Sequence, residues 1–323
     1  MFFKENVNKK EKFMDTITPK NKTAIPVCFS TDENYYLYLA VAIKSLIVNK
    51  KADTEYDIII FETGLDSQQK SELLRLSTND TSIRIFDISG ISEKYGIKNF
   101  MTINHLKESA YYRLLISEIL SEYKKVIYLD CDLIVLTDLS EMYNVDIKNK
   151  YAAVVKDYFV SCLFSQKEDF IQYAKDVLNI DNLDLYFNSG VMLFNLELMR
   201  LNNVQKKLLD IAKINNRYFH DQNVLNSCFF NKCVYLDGKY NVQWHLFFKE
   251  GCFPPEIWAK YLKELSAPKI LHYTSQRKPW KDLSLPNADI WWKYACMTPF
   301  YDRIKDYIKS ERRAYEKYSH GIK

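Results

Sequence analysis

Hydrophobic positions in the first half of the chain fall into two kinds of run. Runs rich in apolar residues that predict strands lie at 24–30, 56–63, 82–88 and 124–129, and the continuous run at 56–63 is of the kind that a sheet buries on both faces. Segments with apolar residues at helical spacing lie at 34–49, 66–77 and 109–120. Strands that alternate with helices predict an α/β fold with a mostly parallel central sheet. Beyond Lys150 the alternation loosens into shorter strands and helices.

The two ends of the chain differ in composition from the middle. Residues 1–23 are polar and lysine-rich, which predicts a loose lead-in before order begins at Ala24. No linker or internal repeat interrupts the main domain, expected at 24–298. Residues 299–323 mix basic and aromatic residues and predict a helical tail. That tail could lie on an anionic membrane surface or pack on the domain, and both interpretations remain open.

Composition narrows the class of protein. A chain of 323 residues, 47% of them hydrophobic, can bury the core of one large domain. The formal net charge is only +4, and basic residues are interspersed with acidic ones, which argues against nucleic-acid binding. Seven scattered cysteines without a Cys-x-x-Cys pair suit reduced thiols. With no long apolar segment, the expectation is a cytoplasmic protein, with the inner membrane face as a peripheral location.

Two aspartates interrupt the apolar run VIYLDCDLIVL at 126–136. Asp130 and Asp132 follow the fourth predicted strand, and side chains two residues apart in extended backbone point to the same side. Two carboxylates this close resist ionising together unless a positive charge lies between them. A shared Mg²⁺ or Mn²⁺ would supply it, although a turn with capping roles is the alternative. Because ligands bind beyond the carboxyl ends of strands in such sheets, STDEN at 30–34 belongs to the same region.

Glycine-rich phosphate loops do not occur in this sequence. None of the seven glycines fits G-x-G-x-x-G or G-x-x-x-x-G-K-[ST]. A calcium loop is also disfavoured, because the run continues Leu-Ile-Val-Leu and so places Val135 at the sixth position, where such a loop needs glycine. If a nucleotide binds, a metal ion is therefore the expected substitute for glycine-loop amides.

Three further polar clusters lie within apolar context. They are Asn188, Ser189 and Gly190 in LYFNSGVMLFNL; His220, Asp221 and Gln222 in YFHDQNVLN; and His272, Lys278 and Trp280 in KILHYTSQRKPW. Each has an ordinary structural interpretation as well. The first cluster could be a turn that enters a strand, and Asp221 could be a helix N-cap. His272 could be an interior histidine whose hydrogen bonds are satisfied within the core.

The clusters occur together and in a fixed order, and in this the chain resembles glycosyltransferase family 8. That family contains retaining sugar-nucleotide transferases, among them bacterial lipooligosaccharide galactosyltransferases and glycogenin. The resemblance runs from about Ile25 to Trp280 through CFSTDENYYLYLAVAIKSL, YYRL, YLDCDLIV, FNSGVMLFNL, HDQNVLN and ILHYTSQRKPW. It implies a Rossmann-like nucleotide-diphospho-sugar transferase (GT-A) fold and a bound Mn²⁺. The implied reaction moves glucose or galactose from a UDP-sugar to a glycan or lipid-linked glycan acceptor.

The resemblance also implies a role for individual residues. Asp130, Asp132 and His272 are the implied metal ligands, and an imidazole ligand suits Mn²⁺ better than Mg²⁺. The implied donor-binding residues are Ser30, Asp32, Asn34 and Tyr35 at the nucleoside, Cys131 between the aspartates, Lys278 at the diphosphate, Arg113 at the ribose and sugar, and Ser189. Asp32 could accept from a uracil N–H, and Tyr35 could stack on the ring.

At the sugar, Asn188, Ser189, Asp221 and Gln222 are implied to contact hydroxyls and to face the anomeric carbon. Gln222, Asp221, Asn188 and Arg113 are therefore the catalytic candidates. Retention could arise by double displacement or by same-face attack, and the poor nucleophilicity of an amide favours same-face attack with Gln222 supporting positive charge. Ser275 departs from the family, which usually has glycine there. Segments 157–187 and 238–268, rich in aromatics, are the expected acceptor walls.

Two other classes of protein remain as alternatives. A phosphatase of the haloacid dehalogenase type also uses Asp-x-Asp after a strand, but Ile134 stands where that class has Thr or Val. A catalytically weak homologue that binds sugar nucleotides or glycans is the second alternative, and the Ser275 departure is consistent with it. Release of UDP from a UDP-sugar distinguishes a transferase from both.

Overall fold

The computed structural model describes residues 16–100, 108–214, 218–244 and 248–306. The strands are β1 (Ile25–Asp32), β2 (Tyr56–Thr63), β3 (Thr81–Asp87), β4 (Lys125–Leu129), β5 (Leu133–Val135), β6 (Ala152–Lys156), β7 (Phe187–Asn195), β8 (Cys233–Tyr235), β9 (Val242–Gln243) and β10 (Ile270–His272). The α-helices are α1 (Tyr36–Val48), α2 (Ser67–Leu74), α3 (Ser89–Lys94), α4 (Ile116–Ile119), α5 (Ser140–Tyr143), α6 (Glu168–Asp176), α7 (Leu196–Leu201), α8 (Val204–Ala212), α9 (His220–Phe229), α10 (Pro255–Ser266) and α11 (Ala288–Ala295).

A seven-stranded sheet in the order β3-β2-β1-β4-β7-β6-β8 forms the centre of the fold. Strand β7 runs antiparallel to both of its neighbours, while the other adjacent pairs are parallel. All eight residues of β1 and all nine of β7 are buried, as their apolar runs require. The prediction of an α/β fold with a mostly parallel sheet is confirmed.

The order of the strands places a ligand site between β1 and β4. The chain runs outward from β1 to β2 and β3, and it then returns to the opposite side of β1 as β4. At such a point, successive strands of the chain change from one side of β1 to the other. In sheets of this kind a ligand-binding crevice lies there, beyond the carboxyl ends of the two central strands. Asp32 ends β1, and Asp130 follows β4 directly. The two predicted acidic segments are therefore neighbours.

A second, three-stranded sheet in the order β5-β10-β9 brings a distant residue to the same place. Strand β10 pairs antiparallel with β5, which sets His272 opposite Leu133. The N–H of Tyr273 donates to the carbonyl of Asp132 over 3.0 Å. Backbone pairing therefore fixes His272 beside the aspartates.

One predicted helix has a different geometry. The segment 109–120 was expected to be a single α-helix, but Glu108–Leu115 is a 3₁₀-helix followed by the short α4. Three residues per turn align Ala110 with Arg113, and Arg113 Nε donates to the Ala110 carbonyl over 2.9 Å. The tighter winding thus helps to direct a buried arginine toward the sheet.

The described parts of both chain ends pack on the domain. Ile17 is buried, and Arg84 donates to the Thr18 carbonyl, so order begins before Ala24. Phe300 and Ile304 are buried. Residues 1–15 of the lead-in and 307–323 of the tail lie outside the described residues, so the membrane-surface expectation for the tail rests mostly on residues not described. Within the described ranges, no helix is both long and apolar enough to cross a bilayer.

Candidate active site

A cleft of about 300 Å³ opens beyond the carboxyl ends of β1 and β4. Every site residue predicted from the sequence except Asn34 lines it: Ser30, Asp32, Tyr35, Arg113, Asp130, Cys131, Asp132, Asn188, Ser189, Asp221, Gln222, His272 and Lys278. Asn34 is exposed, and its side-chain amide donates to Glu33 over 2.7 Å. Its backbone N–H donates to Asp32 Oδ1 over 2.8 Å, which closes the turn after β1.

Asp130, Asp132 and His272 form a group that could hold a metal ion. Their ligand atoms all lie within 4.8 Å of one another. His272 Nε2 lies 3.1 Å from Asp132 Oδ1 and 3.7 Å from Asp130 Oδ2. Two carboxylates and one imidazole form a donor set that suits Mn²⁺. The residues predicted as metal ligands thus come together at the end of β4 and β10.

Gly190 supplies the space for this group. A Cβ at this position would lie 2.2 Å from His272 Cε1 and 2.5 Å from Asp130 Oδ2, closer than any side chain permits. Its carbonyl accepts from the Asp130 N–H over 2.9 Å. Gly190 lies inside β7 and not in a turn that enters a strand, so its role is close approach of the backbone to the site.

Each aspartate carries its own cationic partner. Arg113 Nη2 lies 2.8 Å from Asp130 Oδ1, and Lys278 Nζ lies 2.5 Å from Asp132 Oδ2. Burial disfavours the charged form of Asp132, but the neighbouring Lys278 ammonium outweighs burial and holds the pKa of Asp132 well below its usual range. Burial likewise opposes the charge of Arg113, but Asp130 raises its pKa above the usual value. Asp132 and Arg113 are therefore both charged at neutral pH.

The opposite end of the cleft is built from β7 and α9. Asp221 lies in the first turn of α9, whose N-cap is Phe219, so Asp221 is not the helix cap. Asp221 Oδ2 lies 3.2 Å from Arg113 Nε. Burial outweighs this arginine and raises the pKa of Asp221 to about 6. Tyr218 and His220 have φ values of 71° and 47°, so the backbone enters α9 through the left-handed region.

Gln222 is held by hydrogen bonds at both ends of its amide. Its Oε1 accepts from the Ser189 N–H and from Asn188 Nδ2, each over 3.1 Å. Its Nε2 donates to Asp157 Oδ2 over 3.0 Å. Asp157 is buried and also lines the cleft, although the sequence reasoning did not select it. The signal was present, because Asp157 directly follows the apolar strand β6, just as Asp130 follows β4.

A thiol joins the carboxyl ends of β1 and β4, at the end of the cleft where the nucleoside is expected. Cys131 Sγ donates to the Ser30 carbonyl over 3.0 Å, and burial raises the pKa of Cys131 so that it stays protonated. Tyr35 is half-buried at the start of α1, with its ring edge-to-face against Trp280 at 6.2 Å. Ser275 lines the cleft with an ordinary negative φ, and its Oγ accepts from the Arg277 N–H over 3.1 Å.

The expected acceptor walls contribute few residues to the cleft. From 157–187, Asp157 and Phe159 line it, and from 238–268, Gln243 does. Most other aromatics of the first segment pack into a separate small core with Phe170 at its centre. Tyr218 and Phe219, which lie outside both segments, line the cleft as well.

Comparison with known proteins agrees with this geometry. The family model described as Glycosyl transferase family 8 matches residues 26–284. The lipopolysaccharide 1,2-glucosyltransferase of Escherichia coli is 27% identical over 301 residues, which cover 91% of this chain and 84% of that protein.

Solved structures share the fold. The bifunctional glycosyltransferase WbbM superposes with a TM-score of 0.82 at 27% identity. The match covers 90% of this chain and 53% of WbbM, so this chain spans about half of that protein. The galactosyltransferase LgtC, solved with donor and acceptor sugar analogues, has a TM-score of 0.69 at 22% identity, with 85% and 96% coverage. The GT-A fold is confirmed, and the phosphatase alternative has no support. The chain belongs to glycosyltransferase family 8.

Proposed function

We propose that this chain is a retaining hexosyltransferase that moves glucose or galactose from UDP-glucose or UDP-galactose to a glycan or lipid-linked glycan. Mn²⁺ is the proposed cofactor, with Mg²⁺ as the substitute. The observation that carries the proposal is one cleft in which Asp130, Asp132 and His272 lie beside Lys278 and Arg113. Its opposite wall presents hydroxyl, amide and carboxyl groups suited to a sugar.

The cationic end suits departure of a diphosphate. When the bond between the anomeric carbon and the phosphate oxygen breaks, its electron pair stays on UDP, and negative charge develops there. A divalent cation held by Asp130, Asp132 and His272 would supply Lewis-acid stabilisation of the diphosphate oxygens. Lys278, buried and directed at Asp132, adds a fixed positive charge next to the same position. No proton donor is then needed for the leaving group.

The sugar end supports same-face attack. The Asp221 carboxylate is paired with Arg113, which lowers its reactivity as a nucleophile, and the amide of Gln222 is a poor nucleophile by nature. We infer that the acceptor oxygen attacks from the side of the departing phosphate and gives its proton to a phosphate oxygen. Gln222 then supports the positive charge that develops on the sugar, while Asn188, Ser189 and Asp221 bind its hydroxyls.

The nucleoside end supports uridine. Asp32 at the end of β1 can accept from a base N–H, and Tyr35 presents an aromatic ring at the mouth of the same end. The similarity to a lipopolysaccharide 1,2-glucosyltransferase and to a galactosyltransferase favours hexose donors and an envelope-glycan acceptor. With such an acceptor, the proposed location is the cytoplasm at the inner membrane face. The catalytic domain is 24–298, and the tail 299–323 begins with residues that pack on this domain, Phe300 and Ile304.

Release of UDP tests the proposal. The full chain is incubated with UDP-glucose or UDP-galactose in the presence of Mn²⁺, Mg²⁺ or a chelator. We expect release from one donor with Mn²⁺, none with the chelator, and none from Asp130→Asn. Gln222→Ala should slow release without abolishing it. A wild-type chain that binds UDP-sugar by calorimetry but releases no UDP is instead the binding homologue, and a glycosylated Asp221 would exclude same-face attack.

A further inference from the structure

A row of buried side-chain amides connects the two ends of the cleft. Asn188 Nδ2 lies 3.1 Å from Gln222 Oε1 at the sugar end. Asn241 Nδ2 lies 2.9 Å from Asn188 Oδ1, and Asn241 Oδ1 lies 3.0 Å from His272 Nδ1. Asn188, Asn241 and His272 are all buried. A hydrogen-bond network thus runs from the proposed sugar contact Gln222 to the proposed metal ligand His272.

A bulge in β7 provides the donors that orient this network. Val155 of β6 pairs with Asn188, whereas the residue before it pairs with Met192. Residues 189–191 consequently have no register partner in β6. The N–H groups of Ser189 and Gly190 are directed to side chains instead of to that strand. Bulges commonly occur next to functional sites for this reason.

Those two backbone groups decide which way each amide points. The oxygen and nitrogen of an amide have nearly the same shape, so their placement must follow from their partners. A backbone N–H can only donate. The Ser189 N–H meets Gln222 at 3.1 Å, and the Gly190 N–H meets Asn188 at 3.0 Å, so both contacted atoms are carbonyl oxygens.

The orientation then passes along the row to the histidine. Because Asn188 presents its oxygen, Asn241 must turn its NH₂ toward Asn188 and its carbonyl oxygen toward His272. His272 Nδ1 therefore carries the ring proton, which leaves the lone pair of Nε2 directed at the metal position. Nε2 and Asp132 Oδ1, 3.1 Å apart, then both present lone pairs, an arrangement that a shared cation stabilises.

The other end of the network terminates on a buried carboxylate. Asp157 Oδ2 accepts from Gln222 Nε2 over 3.0 Å and from Asn188 Nδ2 over 3.4 Å. Its Oδ1 accepts from the Val160 N–H over 3.0 Å. Every one of these partners donates, so an acceptor-only group is required at this position.

We propose that Asn241 and Asp157 are positioning residues at the two ends of this network. Asn241 makes Nε2 the ligand atom of His272, and Asp157 fixes the Gln222 amide in the orientation that faces the sugar. The proposal rests on the proposed transferase function and its metal site. It extends that function to two residues that act through their neighbours.

Binding of Mn²⁺ alone tests Asn241, with the electron paramagnetic resonance signal of free Mn²⁺ as the measure. Asn241→Leu removes the acceptor for the His272 Nδ1 proton and should weaken Mn²⁺ binding about 10- to 100-fold. Asn241→Asp keeps an acceptor for that proton, although it loses the donor to Asn188, and it should therefore bind Mn²⁺ more tightly than Asn241→Leu does. Asn195→Leu is the matched control, because Asn195 is a buried amide at the far end of β7.

The possible outcomes separate this inference from the proposed function. Unchanged binding in Asn241→Leu, or equal losses in both Asn241 variants, would overturn the positioning role while leaving the metal site intact. Absence of Mn²⁺ binding in the wild type would overturn both the metal site and the role of Asn241. Thermal melts of each variant show whether a loss of binding accompanies a loss of folding.

Asp157→Asn tests the other end without a change in shape. Whichever way the new amide turns, its NH₂ meets a donor, either Gln222 and Asn188 or the Val160 N–H. Gln222 cannot turn over to compensate, because the Ser189 N–H fixes its oxygen. We expect kcat to fall about tenfold or more while KM for the UDP-sugar and Mn²⁺ binding change little. An unchanged kcat, or a loss of Mn²⁺ binding as large as in Asn241→Leu, would refute the assignment.

Discussion

The two ends of the cleft differ in how they handle charge. At the metal end, Asp130 and Asp132 are each paired with a cation within 2.8 Å, and His272 lies beside both. At the sugar end, the neutral amides of Asn188 and Gln222 are hydrogen-bonded to each other, and the carboxyl group of Asp221 contacts Arg113 and the Ser189 hydroxyl. Its pKa is raised to about 6 because burial outweighs the neighbouring arginine.

This difference follows the charge that develops in glycosyl transfer. Diphosphate gains negative charge as it departs, and fixed cations next to it lower the barrier. A sugar carries no formal charge before reaction, so hydrogen-bonding amides can bind it without the cost of burying further ions. Arg113 connects the two ends, since its guanidinium contacts both Asp130 and Asp221. Substitutions at each end should therefore have different signatures.

The largest effect is expected from Gly190→Ala. This substitution should disrupt the metal end and so remove the difference in charge between the two ends of the cleft. The new Cβ would lie 2.2 Å from His272 and 2.5 Å from Asp130, so at least one of these residues must move. We expect Mn²⁺ affinity to fall by more than about 100-fold, with a matching loss of UDP release. Titration of Mn²⁺ followed by electron paramagnetic resonance measures the change.

Gly251→Ala is the control, because a Cβ at Gly251 meets nothing within 4 Å. It should retain Mn²⁺ binding even if its positive φ lowers stability. Normal Mn²⁺ binding by Gly190→Ala would show that the site does not depend on close approach of β7.

Lys278→Met should separate leaving-group stabilisation from metal binding within the same end. Methionine preserves most of the side-chain volume but removes the charge next to the diphosphate position. We expect kcat to fall about 100- to 1000-fold, as when one transition-state donor is lost. Mn²⁺ affinity should not fall, because Lys278 is a cation that pairs with the ligand Asp132. The exposed Lys281→Met serves as the control in the same steady-state assay.

Asp221→Asn should reveal the cost of burial at the sugar end. The pKa of Asp221 is about 6 in the folded chain and about 4 when unfolded. Between these pH values the folded state binds more protons than the unfolded state does, so the stability of the wild type falls as pH rises from about 4 to 6. Above about pH 6 the full penalty for burying the charged carboxylate is present. Asparagine avoids this penalty. The variant should be more stable than the wild type by about 2 kcal/mol at pH 7 and equal near pH 4.

Urea unfolding across this pH range measures the difference, and exposed Asp181→Asn should show none. Transfer should nevertheless decrease in Asp221→Asn, and in the wild type it should decline as pH falls below about 6, because the ion pair with Arg113 is lost. A variant that is less stable than the wild type at pH 7 would contradict this account of Asp221.

Much of the metal end could be predicted from the sequence, because local patterns determine it. The apolar runs of β1 and β4 predict two central strands. Because ligands bind beyond the carboxyl ends of such strands, the aspartates found there are predicted to lie at the site. His272 was assigned only by resemblance, since pairing of β10 with β5 depends on tertiary structure. The same strand-end rule points to Asp157, which was not selected.

The sugar end was harder to predict, because its geometry depends on features without a local signal. The bulge in β7 appears only when its register with β6 is known. The buried amide Asn241 reaches the network from a short 3₁₀-helix, and nothing in the surrounding sequence distinguishes it from an ordinary loop residue. Helical spacing at 109–120 likewise could not separate 3₁₀ from α geometry in so short a segment.

The smallest effect is expected from Ser275→Gly, which tests whether the departure from the family weakens the metal end. Ser275 has an ordinary φ, so its Cβ causes no backbone strain. Its Oγ accepts from the Arg277 N–H and stabilises the loop that carries Lys278. Glycine would lose that bond and gain backbone freedom, at a cost of about 1 kcal/mol. We therefore expect KM for the UDP-sugar to rise no more than about fivefold, with kcat unchanged. A marked gain in activity would instead mean that Ser275 impairs donor binding. That result would favour the alternative in which this chain is a catalytically weak homologue.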